Sequence, residues 1–321
     1  MRNKLLILTA LAVLVLAALA LQMRSEERTD ELASRELLAE DQLRQLALLE
    51  RITLSRGESQ VELARIDGHW GVLSHAGYPA QQERLAALLH ALRGARVVEE
   101  KTRNPAHHAR LGLHAGDALQ VQLHAAGRDF GVIYGNPVGS GQLLRFADSD
   151  QVLLINRPFS TSVNPTDWLA LKAIDLPMEQ VATARWQHAD GERLELTKQA
   201  RGDYNFRLQG LDEQEQGGNE RWINSMVLAL INLTAQNVAL REELALPDPM
   251  LAMQVRTWAG SQLDASLYEL EGSYWLLIDD LQRAEEDRDL QINADPRWAF
   301  QVGIAQLESL DRRQADILRT P

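Results

Sequence analysis

Beyond residue 50, two periodicities of apolar residues divide the chain into strands and helices. Leu119, Val121 and Leu123 alternate with polar residues, as a strand with one buried face requires. Residues 85–92 instead carry leucines at positions i, i+3, i+4 and i+7, the spacing of an amphipathic helix. The pattern predicts an α+β fold of antiparallel sheets packed with helices.

The same succession of elements occurs twice along the chain. Residues 68–72 align with 202–206, and the helical stripe at 85–92 aligns with the one at 223–230. Four further pairs keep this order: 119–123 with 251–255, Ala126-Gly127 with Ala259-Gly260, Tyr134 with Tyr268, and Ile155-Asn156 with Ile292-Asn293. Each unit is predicted to contain a β-hairpin, one amphipathic helix, three or four antiparallel strands and a closing helical segment.

The repeat predicts two tandem, similar units, residues 51–176 and residues 177–321. The boundary is placed at Leu176-Pro177, because a proline ends a preceding helix and favours the start of an extended segment.

The first 24 residues have the pattern of a membrane segment. Arg2 and Lys4 form a basic start, and residues 5–21 contain no charged side chain. As a helix this segment is roughly 26 Å long, close to the ~30 Å hydrocarbon core of a bilayer. Ala18-Leu19-Ala20 also fits a signal-peptidase site, so cleavage after Ala20 stays open. We predict an uncleaved single-pass anchor over residues 1–24, with the N-terminus in the cytoplasm and the bulk outside it.

Residues 25–50 are rich in charge and predict a helical stalk that leads out of the membrane. Five of their apolar residues recur at intervals of three or four, apart from one step of seven: Leu32, Ala39, Leu43, Leu46 and Leu49. A partner-binding coiled coil is the alternative, but the stripe is too short for three clean heptads.

Composition excludes several classes of protein. The 33 Lys and Arg residues against 45 Asp and Glu residues give a net charge of -12, and no dense basic patch is present, which argues against nucleic-acid binding. The absence of cysteine excludes disulfides, zinc-cysteine sites, thiol nucleophiles and acylation as a lipoprotein.

Two segments have a composition that suggests ligand binding, and each has a simpler structural interpretation. The glycine-rich residues 135–141 resemble an anion-binding nest but lack the ending of a P-loop, which favours a hairpin connection. The cluster of His107, His108 and His114 suggests a metal site, but its unpatterned loop favours exposed histidines, as for His69 and His75.

The remaining motifs also favour structural roles. Residues 285–289 and Asp279-Asp280 are acidic enough to suggest calcium binding, but they lack EF-hand spacing and its glycine, so a solvated acidic loop is preferred. No G-x-S-x-G or Ser-x-x-Lys motif occurs. The seven tryptophans fall at element positions, which favours core packing over a carbohydrate platform: Trp70, Trp168, Trp186, Trp222, Trp258, Trp275 and Trp298.

Several landmarks together resemble the domain-of-unknown-function family numbered 4340. They are Trp70 in the first hairpin, the Pro79-led helix, Leu111-Gly112-Leu113, Tyr134-Gly135-Asn136-Pro137, Trp168-Leu169 and Asp175-Leu176-Pro177. The resemblance implies an N-terminally anchored protein of the bacterial inner membrane, often associated with ABC-type export systems. It supplies no enzyme activity, ligand residue or cofactor.

We therefore expect a non-catalytic envelope protein that is anchored in the membrane through residues 5–21 and binds another envelope protein, such as an ABC transporter subunit. No catalytic, cofactor-binding or metal residue is predicted. The alternatives are a module that binds a small ligand or glycan in a cleft between the units and, as a third choice, an envelope hydrolase.

Overall fold

A computed structural model describes residues 34–125, 127–211 and 220–318 of the chain. The predicted anchor at residues 1–24 and the first part of the predicted stalk lie outside these residues. Within them, no helix has both the length and the apolar character needed to cross a bilayer.

The chain forms two compact units that divide between Trp168 and Leu169. Unit 1 contains the described residues up to Ser74 together with residues 82–168, and unit 2 contains residues 75–81 and those from Leu169 onward. The sequence predicts this boundary at Leu176-Pro177 instead. The amide of Leu176 donates to the carbonyl oxygen of Ile231 at 2.9 Å, which ties the residues after 168 to unit 2.

The elements up to residue 168 are β1 (Arg35–Glu36), α1 (Glu40–Leu46), β2 (Leu49–Arg56), β3 (Ser59–Ile66), β4 (His69–Val72), β5 (Tyr78–Pro79), α2 (Gln82–Gly94), β6 (Arg96–Glu100), β7 (Leu119–Ala125), β8 (Arg128–Val138), β9 (Gly141–Phe146) and β10 (Leu153–Ile155). All except β5 belong to unit 1. Its strands lie in the order β1-β6-β10-β9-β8-β7-β2-β3-β4, and every neighbouring pair is antiparallel.

The inner face of this sheet forms the main core of unit 1. Alternate residues of its strands are fully buried, as Ile52, Leu54 and Leu123 are, and α2 buries Leu88 and Leu92. The predicted strand and helix periodicities are both confirmed here. The helix begins at Gln82, while Pro79 lies in β5, so this proline precedes the helix without forming its first turn.

The outer face of the same sheet is covered over only part of its width. The loop between β6 and β7, residues 101–118, is called the cover loop. Its Leu113 and Ala118 form a second, smaller cluster with Ile133 of β8 and Leu143 of β9. The strands β2, β3 and β7 lie beyond this cluster, and their outer-face residues are polar and half-buried, as Thr53 and Gln122 are.

The predicted helical stalk is wrong for the part of it that the structure describes. Residues 34–50 form the short strand β1, the two-turn helix α1 and the start of β2 instead of one helix. Leu37 and Leu38 are both buried, although a single helical stripe cannot bury two adjacent residues on one narrow face. Pairing of Arg35 with Val97 of β6 holds this segment in unit 1.

The remaining elements all belong to unit 2. They are β11 (Ile174–Asp175), β12 (Val181–His188), β13 (Arg193–Thr197), β14 (Arg207–Leu208), α3 (Glu220–Ile231), β15 (Asn237–Leu240), β16 (Leu251–Thr257), β17 (Gln262–Leu270), β18 (Ser273–Gln282), β19 (Gln291–Ile292), β20 (Trp298–Val302), α4 (Ile304–Leu310) and α5 (Gln314–Leu318). The main sheet has the order β14-β13-β12-β16-β17-β18-β20-β15, and β11 pairs separately with β19.

Unit 2 also has a core on each face of its sheet. The inner face buries alternate strand residues such as Leu251 and Val255, and α3 buries Met226 and Leu230 against them. On the outer face, Tyr268 and Leu277 cluster with Leu244 from the loop between β15 and β16. Both units therefore consist of mostly antiparallel strands with few helices, as the predicted α+β class requires.

Tyr78 fixes residues 75–81 in unit 2. Its fully buried ring makes an edge contact with Trp298, at 4.9 Å between ring centroids. Its hydroxyl donates to the carbonyl oxygen of Ala170 at 3.0 Å and accepts from the side-chain amide of Asn293 at 3.2 Å. Burial raises the pKa of Tyr78 to about 12, so the hydroxyl keeps its proton at neutral pH.

Replacing Tyr78 by phenylalanine is expected to lower the free energy of unfolding by about 1–3 kcal/mol, because the ring remains but a half-buried carbonyl and a half-buried side-chain amide lose their partner. Chemical denaturation measures the change. The matched control is Tyr204→Phe, which removes the hydroxyl from a half-exposed tyrosine and is expected to change stability by less than about 0.5 kcal/mol. Equal effects of the two variants would contradict this account of Tyr78.

Candidate functional site

The three clustered histidines do not share a ligand position. His107 Nδ1 lies 3.4 Å from the hydroxyl of Thr102, and His108 Nε2 lies 3.2 Å from the carbonyl oxygen of Asp150. His114 accepts from a backbone N–H two residues further on. His108 is buried, so the expectation of three exposed histidines is wrong for it. Residues 34–125, 127–211 and 220–318 contain no group of three or more potential metal ligands.

The two histidines near the first hairpin belong to different units. His69 begins β4 in unit 1, whereas His75 belongs to unit 2. Burial lowers the pKa of His75, and a hydrogen bond with the side chain of Asn237 opposes that shift. Neither residue is fully exposed.

The glycine-rich segment is a hairpin connection, as preferred from the sequence. Residues 135–138 complete β8, Gly139 turns the chain at a φ of +58°, and β9 begins at Gly141. The Gln142 side chain donates to the carbonyl oxygen of Gly135 at 3.0 Å and accepts from the amide of Phe159 at 2.7 Å. The Gly135 carbonyl and the Phe159 amide are therefore hydrogen-bonded to a side chain of the protein.

Two of the family landmarks interlock at Gly135. A Cβ atom at this residue would lie 2.7 Å from the carbonyl oxygen of Leu111 and 2.8 Å from the side chain of Leu113. The next residue, Asn136, lies against Gly112, and its side-chain amide donates to the carbonyl oxygen of Arg110 at 3.3 Å. These glycines are required for close approach of the cover loop to β8, which is a structural role.

The acidic segment is divided between buried and exposed carboxylates. Asp287 is buried and accepts a hydrogen bond from the hydroxyl of Thr257. Asp279 accepts from Ser266 at 2.6 Å, and Asp280 accepts from a glutamine side chain. These carboxylates therefore have different partners, and they do not converge on one cation position.

The expected core role of the tryptophans is confirmed for Trp168, Trp186 and Trp298, which are buried. The other four are half-buried: Trp70, Trp222, Trp258 and Trp275. Trp222 is covered by the guanidinium of Arg312, 4.0 Å from the ring centroid. That face of the indole is occupied by the protein's own cation.

A buried polar cluster that the sequence analysis did not predict joins β12 to the segment after α4. His188 is fully buried, with Nδ1 3.2 Å from a carboxylate oxygen of Asp311 and Nε2 3.2 Å from the carbonyl oxygen of Arg312. The Trp186 indole donates to the carbonyl oxygen of Leu310 at 3.0 Å. His188 Nε2 and the Trp186 indole N–H thus connect β12 to this segment, whereas His188 Nδ1 and the Asp311 oxygen are close without forming a hydrogen bond.

Ion pairs on the surface extend this cluster. Arg313 lies 2.6 Å from Asp190 and 3.0 Å from Glu192, both of which lie between or next to β12 and β13. The backbone amide of Glu192, and then Arg313, hold the pKa of Asp190 below its ordinary value. No short motif links residues 188–192 with 311–313, so only the fold reveals the cluster.

Lys198 is a buried lysine that the sequence analysis did not single out. Its ammonium donates to the carbonyl oxygen of Met178 at 2.5 Å and lies 4.7 Å from the ring centroid of Phe206. Burial lowers the pKa of Lys198, while Glu179 and Asp203 oppose the shift. An amine of this kind is a potential nucleophile, but here it is buried and bonded to the backbone.

The open outer faces of the two sheets also present polar groups that a ligand or partner can reach. In unit 1 a cavity of about 560 Å³ lies at the ends of β2, β3 and β7. In unit 2 a cavity of about 180 Å³ lies on β12, β13 and β16. Both linings contain arginine together with a glutamate.

The fold defines an α+β protein of two mostly antiparallel units. The chain matches the family model described as "Domain of unknown function (DUF4340)" over residues 70–249, which is more than half of its length. It therefore belongs to that family, as the landmarks predicted. The match begins in β4 and ends just before β16, so it covers part of each unit. No curated protein and no solved structure gave a significant match to the chain.

Replacing Gly135 by alanine is expected to lower the free energy of unfolding by about 1–3 kcal/mol, because its Cβ would press into the backbone of the cover loop. Gly94→Ala is the matched control, since a Cβ at the end of α2 meets nothing within 4 Å. That variant is expected to be neutral or slightly stabilising. Comparable losses in both variants would contradict the close approach at Gly135.

Replacing Trp186 by phenylalanine is expected to cost about 2 kcal/mol or more, because the carbonyl of Leu310 loses its donor and the smaller ring leaves space in the core. Hydrogen exchange of residues 304–318 is expected to accelerate with it. Trp70→Phe, at a half-buried indole, serves as the control and is expected to leave exchange in those residues unchanged. Unchanged exchange in Trp186→Phe would show that the indole does not hold the C-terminal helices.

Proposed function

We propose that this chain is a membrane-anchored, non-catalytic protein of the bacterial cell envelope that binds another envelope protein as an accessory component of an ABC-type transport system. Residues 5–21 anchor it in the inner membrane, with the N-terminus in the cytoplasm and the bulk on the other side. The anchor is proposed because an uncharged segment follows the basic residues Arg2 and Lys4. The transport system is proposed from the family resemblance.

We propose further that the two units are copies of one ancestral unit. The order β6-β10-β9-β8-β7-β2-β3-β4 in unit 1 and the order β15-β20-β18-β17-β16-β12-β13-β14 in unit 2 support this, because the strands correspond one to one along the chain. A bulge near the start of β2 in unit 1 and of β12 in unit 2 supports this proposal as well. It lies between Leu49 and Arg51 in β2 and between Val181 and Thr183 in β12.

The proposed contact with the partner lies on the open outer faces of the sheets. In unit 2 this face presents Arg185, Gln254 and Asp264 at half-buried or exposed positions. Arg185 pairs with Glu195 at 3.1 Å, and Gln254 donates to Asp264 at 2.7 Å. A polar, hydrogen-bonded surface of this kind is typical of the rim and wet parts of protein interfaces.

The membrane topology is tested by cysteine labelling, which the cysteine-free chain makes simple. In cells with a permeabilised outer membrane, Ser140→Cys in the exposed β8–β9 turn is expected to react with a membrane-impermeant maleimide. Asn3→Cys is expected to react only after the inner membrane is disrupted. The opposite pattern, or labelling of both sites in intact inner membranes, would overturn the proposed orientation.

The partner is tested by crosslinking in intact cells, followed by purification of the tagged full-length protein in mild detergent and mass spectrometry. Recovery of a transporter permease or an ATPase-linked subunit is expected. A version without residues 1–24, exported separately, is the comparison and is expected to recover less of the same protein, because anchoring raises the effective concentration of the pair. Recovery of the protein alone would contradict the proposal.

A further inference from the structure

The larger cavity lies in unit 1 at the bulged end of β2. It is lined by Glu50, Arg51, Ala64, Arg65 and His124. Arg51 pairs across the strands with Ala64 on one side and with His124 on the other, so these residues form one row across the sheet. Ala64 has a small side chain, and its other partner across the strands is Gly71, so the row is open beside Arg51.

The opening of the cavity is lined by Arg51 and His124 of this row and by Arg65, the residue after Ala64 in β3. His124 Nδ1 lies 2.9 Å from a carboxylate oxygen of Asp129, the next residue in the row, so Nε2 is the ring nitrogen that remains for a ligand. Arg51 and Arg65 have no hydrogen-bond or ion-pair partner among the residues that the structure describes. Glu50 is the single carboxylate in the lining.

In the corresponding row of unit 2, the arginine is hydrogen-bonded to a neighbouring side chain of the same row. Thr183 pairs with Thr197 and is followed in the row by Arg256, which donates to Gln262 at 2.9 and 2.6 Å. Arg185 is held by Glu195. The cavity there has about a third of the volume of the first. Within these two rows, the Arg51 guanidinium of unit 1 has no partner among the described residues, whereas the Arg256 guanidinium of unit 2 is bonded to Gln262.

We infer that the cavity at Arg51, Arg65 and His124 binds a small molecule through a carboxylate or phosphate group. Guanidinium groups present paired donors that match both oxyanions, and a cavity of this size lies within the range of small-ligand sites. Glu50 is positioned to accept from a hydroxyl or amine on the same molecule. This inference does not depend on the proposed protein partner.

The test is titration calorimetry of the full-length protein in an uncharged detergent, with inorganic phosphate and citrate as separate probes and glycerol as the uncharged control. Saturable binding of at least one anion is expected, with one site per chain and weaker affinity at higher salt. Binding of phosphate alone identifies a phosphate site, and binding of citrate alone identifies a carboxylate site. Absence of saturable binding by both anions overturns the inference.

Matched variants assign the site. Arg51→Gln with Arg65→Gln is expected to weaken binding by roughly tenfold or more, since charged hydrogen bonds are lost. Arg201→Gln, at an exposed arginine of unit 2, is expected to leave it unchanged. The pair Arg51→Lys and Arg65→Lys keeps the charge and is expected to recover part of the affinity. Unchanged affinity in the glutamine variant, or an equal loss in Arg201→Gln, overturns the assignment, and thermal unfolding of each variant verifies that it is folded.

Discussion

The close approach of the cover loop to Gly135 determines how unit 1 is built. A sheet with an apolar inner face needs a cover, and the helix that follows the first strands provides it. The outer face is different, because its apolar residues Ile133 and Leu143 lie only at one end. Leu113 reaches them because residue 135 has no side chain. The rest of that face is polar and stays open.

Because the cover is partial, polar side chains of β2, β3 and β7 stay accessible on the outer face of the unit 1 sheet. Three buried polar side chains have partners within the fold: His188 with the C-terminal segment, Lys198 with a backbone carbonyl, and Asp287 with Thr257. In the open row of unit 1, the Arg51 side chain has no hydrogen-bond or ion-pair partner among the described residues. In the corresponding row of unit 2, Thr183 takes its position and Arg256 is bonded to Gln262.

Local periodicity was sufficient to predict the helices α2 and α3, the alternating strands and the fold class. It was insufficient where a shift of one residue in strand register changes the face to which a side chain points. Tyr134 pairs with Leu119 and faces the inner core, whereas Tyr268 lies one residue past the partner of Leu251 and faces outward. The alignment of the two tyrosines is therefore wrong, because strand side chains alternate between faces. Ile155 lies in β10, and the strand of unit 2 that holds the same place in the sheet is β20. Ile292 lies instead in β19, which pairs only with β11 outside the main sheet.

Other features were beyond prediction because they depend on distant contacts. The stalk leucines suggested one helix, but pairing of Arg35 with β6 favours a strand at that position. The cluster at His188 joins residues more than a hundred positions apart, and neither segment has a motif of its own. The cavity depends on the cross-strand register of Arg51, Ala64 and His124, which no spacing along the chain reveals.

The account is tested most directly by photocrosslinking from the open outer face in living cells. A photoreactive amino acid at Gln122, on that face, is compared with one at Glu83, on the exposed side of α2. The account predicts a discrete adduct with another envelope protein from position 122 and none from position 83. An adduct from position 83 alone, or none from either position, would contradict the claim that the uncovered part of the sheet is the binding surface.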